Sequence, residues 1–264
     1  MRVLGLSLDL AWEDVPGNIA AIDALLPEIQ RRQPDLVVLP EMWSTGFTMN
    51  PDAIGDGELQ AGRDAMHRWA DKTDAAWYGS LIHKSTDGQF KNRGHFVRPN
   101  DEDASVYDKR HLFTFGAEPD HFQPGDAQVI VEWRGWRVLL QICYDLRFPV
   151  FSRNRRGAGM WDLALYVANW PAVRSDAWAT LLKARAIENC GWVCGINRQG
   201  TDGNNLAYDG HSGLYGPRGE SALRTANSTS IFVEKTLDFG DLESYRTKFP
   251  ALQDADDFTA DWTN

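Results

Sequence analysis

Asp35-Leu-Val-Val-Leu-Pro40 is the stretch on which the reading of the fold turns. A short, unbroken apolar run closed by proline reads as a strand buried on both faces. Upstream, Val3-Leu-Gly-Leu-Ser-Leu8 is strand-like as well. Between the two, Ile19, Ile22, Leu25, Leu26 and Ile29 recur at helical spacing, so residues 19–33 are expected to form a helix. Asn18 stands where its cap would be, and Pro34 follows its end. Strand, helix, strand in that order predicts a sheet covered by helices on its outer side.

Working outward, residues 62–72 are helical in pattern and 75–83 read as a strand. The centre is hairpin-like, with strands expected over 89–99, 104–110, 127–133 and 136–141, the last two joined by Arg134-Gly135. After Cys143 come a strand over 163–168, a helix over 175–189 and a strand over 191–197. Two further strands are expected at 211–215 and 230–237. No repeat, linker or low-complexity segment interrupts the chain. The expectation is one α/β domain over residues 1–264, with the acidic, aromatic stretch 241–264 packing on it as a short helix or arm. Two stacked sheets with helices outside satisfy both the helix-covered and the hairpin-rich parts.

The 264 residues carry 43% hydrophobic and 24% charged side chains, ordinary for a globular protein. No run approaches the roughly 18 apolar residues that would cross a bilayer. The amino-terminal stretch turns acidic at Asp9 and Glu13, unlike a signal peptide, so a cytoplasmic location and no membrane partner are expected. A net charge of -10, with no basic cluster longer than Arg31-Arg32 or Arg155-Arg156, argues against nucleic acid as a partner. Three cysteines, Cys143, Cys190 and Cys194, make a poor disulfide framework and fit a reducing compartment. Neither they nor the six histidines are spaced as metal ligands, so no metal is expected.

Three segments place a reactive residue directly after a strand-like run: Leu36-Val-Val-Leu-Pro-Glu41, Val106-Tyr-Asp-Lys109 and Val138-Leu-Leu-Gln-Ile-Cys143. Strand ends are where open α/β folds put ligand sites. A carboxylate, an ammonium and a thiol would supply base, electrostatic clamp and nucleophile. Singly, each has a plainer reading. Glu41 could be a solvated loop residue, Lys109 a surface charge and Cys143 a small buried hydrophobe.

Together and in this order, Leu39-Pro-Glu41, Tyr107-Asp-Lys-Arg-His-Leu112 and Ile142-Cys-Tyr-Asp-Leu-Arg-Phe-Pro149 resemble the signature segments of the nitrilase, or carbon–nitrogen hydrolase, superfamily. The resemblance extends through Glu118-Pro119, Pro124-Gly125, Asn169-Trp-Pro171, residues 184–189 and Gly210-His-Ser212, so it covers most of the chain. Glu41-Met-Trp-Ser-Thr-Gly-Phe47, Arg153-Asn154 and Asn169-Trp-Pro-Ala172 look most like the omega-amidase branch. Cys190 departs from it, where glutamine is expected, with consequences for packing rather than chemistry.

The resemblance implies a four-layer αββα sandwich, usually dimeric, so a homodimer is expected, with a small-molecule amide as the other partner and no cofactor. It implies a Glu41, Lys109 and Cys143 triad hydrolysing the terminal amide of a short 2-oxo-dicarboxylic acid monoamide through a cysteine thioester. In that scheme Glu41 is general base, and Lys109 with the Tyr144 backbone N–H stabilises the oxyanion. Glu118 matches the second glutamate that positions lysine or substrate; its plainer reading is a turn residue before Pro119. Arginine suits a substrate carboxylate because its planar fork pairs bidentately. Arg174 is the first candidate, and Arg147 the second, with an alternative role as ion-pair partner of Asp145 or Glu188. Phe115, Trp170 and Tyr144 are expected to wall the pocket. His111 is read as structural and Asn197 as a hydrogen-bonding neighbour. The rival readings are another amidase, carbamoylase, acyl-transfer or nitrilase member, and a silent scaffold; a catalytic Cys143, with a lowered pKa, is expected to alkylate faster than Cys190 or Cys194, which should be inert when buried.

Overall fold

The computed structural model describes residues 1–155, 157–223 and 230–256. The first half supplies β1 (Arg2–Leu6), α1 (Val15–Asp23), α2 (Leu26–Arg32), β2 (Leu36–Val38) and α3 (Asp56–Thr73), followed by β3 (Ala76–Lys84), β4 (Phe90–Val97) and β5 (Ser105–Asp108). The second half supplies β6 (Val129–Trp133), β7 (Trp136–Ile142), β8 (Leu163–Ala168), α4 (Ser175–Glu188), β9 (Trp192–Asn197), β10 (Gln199–Thr201) and β11 (Ala207–Asp209). It closes with β12 (Gly213–Tyr215), β13 (Ser221–Leu223), β14 (Phe232–Thr236) and α5 (Phe239–Lys248).

Two six-stranded mixed sheets carry the fold, in the orders β14-β1-β2-β3-β4-β5 and β6-β7-β8-β9-β12-β13. Read in those directions, both sheets have the same sense pattern: an antiparallel edge, two parallel pairs, then two antiparallel pairs. Each therefore has a parallel centre, and strands β1–β3 and β7–β9 are buried on both faces, which is why they read as continuous apolar runs.

Alternation along β2 shows how the layers form. Leu36 and Val38 face the second sheet and pack with Val138, Leu140 and Ile142 in the central core. Val37 and Leu39 point the other way, against Ile22, Ile29, Met66 and Trp69 of the covering helices. On the far side, Trp178, Leu182 and Ala186 of α4 cover the second sheet. This is the expected αββα sandwich of two stacked mixed sheets with helices outside.

Two local expectations are corrected. The single helix over 19–33 is two helices, because Pro27 has no N–H to continue the first and instead opens the second. Its cap is Asp14, whose carboxylate accepts from the Gly17 N–H, not Asn18. Asn18 is buried inside α1 and ties the loops at Ala11 and Ser44 to it. At the carboxyl end, α5 docks through Arg246, which pairs with buried Asp162 at 2.6 Å and donates to the Cys190 and Trp161 carbonyls. Residues 257–264 of the expected arm lie outside the described residues. Among the described residues, no helix is long and apolar enough to cross a membrane.

Candidate functional site

Glu41, Lys109, Cys143 and Asn169 each follow the carboxyl end of a strand: β2, β5, β7 and β8. Parallel pairing gives the β2, β7 and β8 ends their common sense within each sheet, and β5, two antiparallel steps from β3, runs the same way as β2; the Glu41–Asn169 and Glu41–Lys109 hydrogen bonds join these ends at one edge of the sandwich. Past β2 the chain keeps pairing, with Leu39 N–H donating to Tyr78 and Met42 N–H to the Ser80 hydroxyl, which fixes Glu41 between them. Past β5, Lys109 N–H still donates to the Asn92 carbonyl. Gly125 lies against this turn and donates to the Lys109 carbonyl; any Cβ there would collide with the Asp108 carbonyl.

Cys143 opens a tight helical turn, Cys143–Arg147, with φ of 45°. That left-handed conformation is strained for a residue with a side chain. Asp145, fully buried, holds the turn together. It accepts from the Ile142 N–H at 2.9 Å, the Tyr107 hydroxyl at 2.7 Å and the His111 N–H at 3.0 Å. The His111 ring nitrogen Nδ1 adds a contact at 2.8 Å, and the ring stacks on Phe148 at 3.8 Å. His111 is thus a structural partner of the cysteine turn, as expected.

The charged centre is buried. Lys109 Nζ donates to Glu41 Oε1 at 2.8 Å and to Glu118 Oε1 and Oε2 at 3.1 and 2.8 Å, with all three side chains fully buried. Glu118 also accepts from the Phe113 N–H at 2.6 Å; it does open the turn Glu118–Asp120 before Pro119, but with its carboxylate buried on Lys109. Glu41 Oε2 accepts from the Asn169 N–H at 2.8 Å, and the Asn169 side chain returns to the Glu41 carbonyl. Burial disfavours the Lys109 ammonium, but the carboxylates of Glu118 and Glu41 outweigh it and hold its pKa above the ordinary lysine value. That direction favours the protonated form of Lys109. Burial pushes the Glu118 carboxyl up, against the pull of Lys109.

The thiol departs from expectation. Burial pushes the Cys143 pKa well above the usual range, the adjacent Glu41 carboxylate adds to the rise, and Lys109 only partly offsets it. The direction is opposite to the lowered pKa expected of a catalytic thiol. The Cys143 sulfur also lies 4.0 Å from the Asn169 carbonyl.

A cavity of about 250 Å³ opens onto Cys143, walled by Phe47, Phe113, Phe115, Tyr144, Trp170 and Pro171, with Arg147 and Arg174 also in its lining. Asn197 holds the Trp170 backbone from both sides, accepting its N–H at 2.7 Å and donating to its carbonyl at 2.9 Å. Trp170 Nε1 in turn donates to the Arg174 carbonyl at 2.9 Å. Phe115 is 83% exposed, so it forms the rim rather than an inner wall, with the Arg174 guanidinium 5.0 Å over its ring. The suggested Arg147 ion pairs do not form. Asp145 is taken by Tyr107 and His111, and Glu188 by Arg185. Arg147 instead lies 5.0 Å over the Trp170 ring, and among the described residues neither Arg147 nor Arg174 is paired with a carboxylate.

Sequence reasoning passed over Asn92, the bond of Asn169 to Glu41, and the role of Asp145 in holding the cysteine turn. Asn92 was visible as an amide in a strand, where asparagine is disfavoured. The other two stand inside quoted motifs, and only the folded chain shows what they hold.

The carbon–nitrogen hydrolase family model matches residues 3–247. The omega-amidase YafV of Yersinia enterocolitica is 44% identical over 98% of both chains, and that of Escherichia coli K12 is 43% identical with the same coverage. Among solved structures, a CN-hydrolase superfamily protein from Xanthomonas campestris, with an arsenic adduct in its active site, superposes with a TM-score of 0.87 at 36% identity over 98% of both chains. The chain belongs to the carbon–nitrogen hydrolase family, within the omega-amidase branch of the nitrilase superfamily.

Proposed function

We propose that the protein hydrolyses the terminal amide of a short 2-oxo-dicarboxylic acid monoamide, of the 2-oxoglutaramate or 2-oxosuccinamate type, through a thioester on Cys143. The omega-amidase relatives, similar over almost their whole length, support amide hydrolysis by a cysteine mechanism. The observation that carries the finer reading is the cavity itself: one thiol and two guanidiniums, without a carboxylate partner among the described residues, share about 250 Å³. A short substrate can reach both ends of such a space. Its carboxylate and 2-oxo oxygen would take the guanidinium donors of Arg174 and Arg147, leaving the amide carbon at Cys143.

In the proposed reaction Glu41 takes the thiol proton as Sγ attacks the amide carbon. The high pKa of the thiol requires the two events to be coupled, since little thiolate is present beforehand. At rest all three Lys109 N–H donors are used, one on Glu41 and two on Glu118. Protonating Glu41 cancels its charge and loosens its hold on one donor as the oxyanion develops, so Lys109 can turn toward the new charge. The Tyr144 N–H, in the first turn after Cys143, is the second donor. Collapse breaks the C–N bond, and Glu41 returns its proton to the departing nitrogen, releasing ammonia. Glu41 then takes a proton from water as the water oxygen attacks the thioester. The acid leaves, and the sulfur recovers its proton.

Ammonia release tests the substrate class. The 2-oxo acid monoamides should be turned over with kcat/KM at least about tenfold above neutral amides of equal length, the equivalent of one charge-assisted hydrogen bond. Equal rates on both would refute recognition of a carboxylate.

A further inference from the structure

Asn92 stands on the inner face of β4, fully buried, paired in register with Ile82 of β3. Its side-chain nitrogen donates to Glu41 Oε1 at 2.8 Å and to Glu118 Oε1 at 3.0 Å. A primary amide has two N–H groups, and here each carboxylate receives one. The Asn92 Oδ1 has no hydrogen-bond partner among the described residues. A buried amide with an idle oxygen is a poor choice for packing alone, where an apolar side chain of equal size would carry no desolvation cost. What the amide adds is the pair of bonds to the two carboxylates.

Those carboxylates need separating. Glu41 and Glu118 share Lys109 Nζ, at 2.8 Å for each, with all three side chains buried. Two carboxyl groups so placed tend to share one proton, because both cannot ionise freely in a low dielectric. The groups facing this pair are Lys109 after β5, Cys143 after β7 and the Tyr78 hydroxyl from β3. Of these only Lys109 is cationic, and its charge is divided between both glutamates. Asn92 supplies two further N–H donors without adding charge, and its backbone carbonyl anchors Lys109 through the Lys109 N–H.

We propose that Asn92 is a positioning residue that divides the two buried carboxylates, keeping Glu41 aimed at the Cys143 thiol while Glu118 stays on Lys109. This rests on the role given to Glu41 above, and it needs no contact between Asn92 and substrate. A carboxylate deprived of one N–H donor holds a proton more tightly. Without the amide, each carboxylate loses one N–H donor, so the proton that removes the base should bind more readily than in the native enzyme.

The test uses Asn92→Leu, with Asn92→Ser as a smaller variant that retains one O–H donor and is read if the leucine protein fails to fold. Two assays run side by side against pH: ammonia release from 2-oxoglutaramate, and alkylation of Cys143 by iodoacetamide followed by peptide mass. Losing a hydrogen bond to a charged group should move the acid limb of both profiles upward by about one to two pH units. In Asn92→Leu, kcat should fall about 10- to 100-fold near neutrality with KM little changed, and recover partly as pH rises. Asn92→Ser should lie between it and the wild type. A purely structural role would lower kcat without moving either limb, and that result overturns the proposal. Should the wild type release no ammonia while the alkylation limb still shifts, the substrate reading falls and the role of Asn92 stands. Ammonia release by a wild type whose limbs are unchanged in both variants sinks the Asn92 assignment alone. Unchanged alkylation limbs beside an inactive wild type sink both.

Discussion

Replacing Glu41 by glutamine exchanges one carboxylate oxygen for an NH2 and leaves the shape of the side chain intact. The native carboxylate accepts at Oε1 from Lys109 Nζ and Asn92 Nδ2, both at 2.8 Å, and at Oε2 from the Asn169 N–H at 2.8 Å. Glutamine has one acceptor oxygen. Placed at the Oε1 position it keeps Lys109 and Asn92 but turns an NH2 toward the Asn169 N–H, donor against donor. One charge-assisted bond is lost, worth about 1.5–3 kcal/mol, and removing a carboxylate from beside Glu118 returns part of that. A net loss of about 1–2 kcal/mol lowers Tm by only a few degrees in a chain of this size. Activity should fall far more. A general base contributes roughly 10²–10⁴-fold, about 3–5 kcal/mol of barrier, and the Cys143 thiol is pushed up by burial, so it cannot ionise unaided near neutrality. Steady-state ammonia release and thermal unfolding on the same preparation separate the two effects. A folded Glu41→Gln protein within about tenfold of wild-type kcat/KM would refute the assignment of the base.

Two more outcomes follow from the geometry. Arg174→Met keeps the stacking length over Phe115 but removes the fork, so KM should rise about 10- to 100-fold for acidic amides and little for neutral ones; an equal rise for both would remove the carboxylate role. His95 is buried, and burial, with Arg93 and Arg63 nearby, lowers its pKa to about 3. The unfolded imidazole binds its proton below about 6.5, so in the window between about 6.5 and 3 the unfolded chain holds more protons and stability falls as the pH is lowered. At pH 5 this term amounts to about 2 kcal/mol. His95→Gln should flatten the decline in urea unfolding measured from pH 7 to 5; a slope identical to wild type would exclude His95 as its source.

Much of this architecture is legible in the chain because burial on both faces leaves a plain mark. The β8 strand has the bounds expected from its apolar run, and β2 is the apolar core of the stretch that ends at Pro40. Glu41 and Cys143 stand out since each follows such a run, whereas Lys109 follows the short, half-exposed edge strand β5 and is legible through the motif around it. Local pattern failed where a single residue overrides it. Pro27 splits a helix whose apolar spacing continues unbroken, and Asn18 has the chemistry of a cap but the burial of a core residue. It also failed where meaning comes from distant partners. Nothing near Asn92 in the sequence announces two glutamates, one 51 and the other 26 residues away. Arg147 has acidic residues close in sequence and on α4, yet they are engaged elsewhere, so it is left facing the cavity. The raised thiol pKa belongs to the same class, because it depends on how completely the sandwich closes over Cys143.

The central claim is a covalent acyl-enzyme on Cys143. Wild-type protein mixed with 2-oxoglutaramate, quenched in acid during turnover and mapped by peptide mass should carry the acyl group on the peptide containing Cys143. The Cys143→Ala protein should carry none and release no ammonia. Turnover that survives in Cys143→Ala, or an adduct mapped to Cys190 or Cys194, would contradict the account.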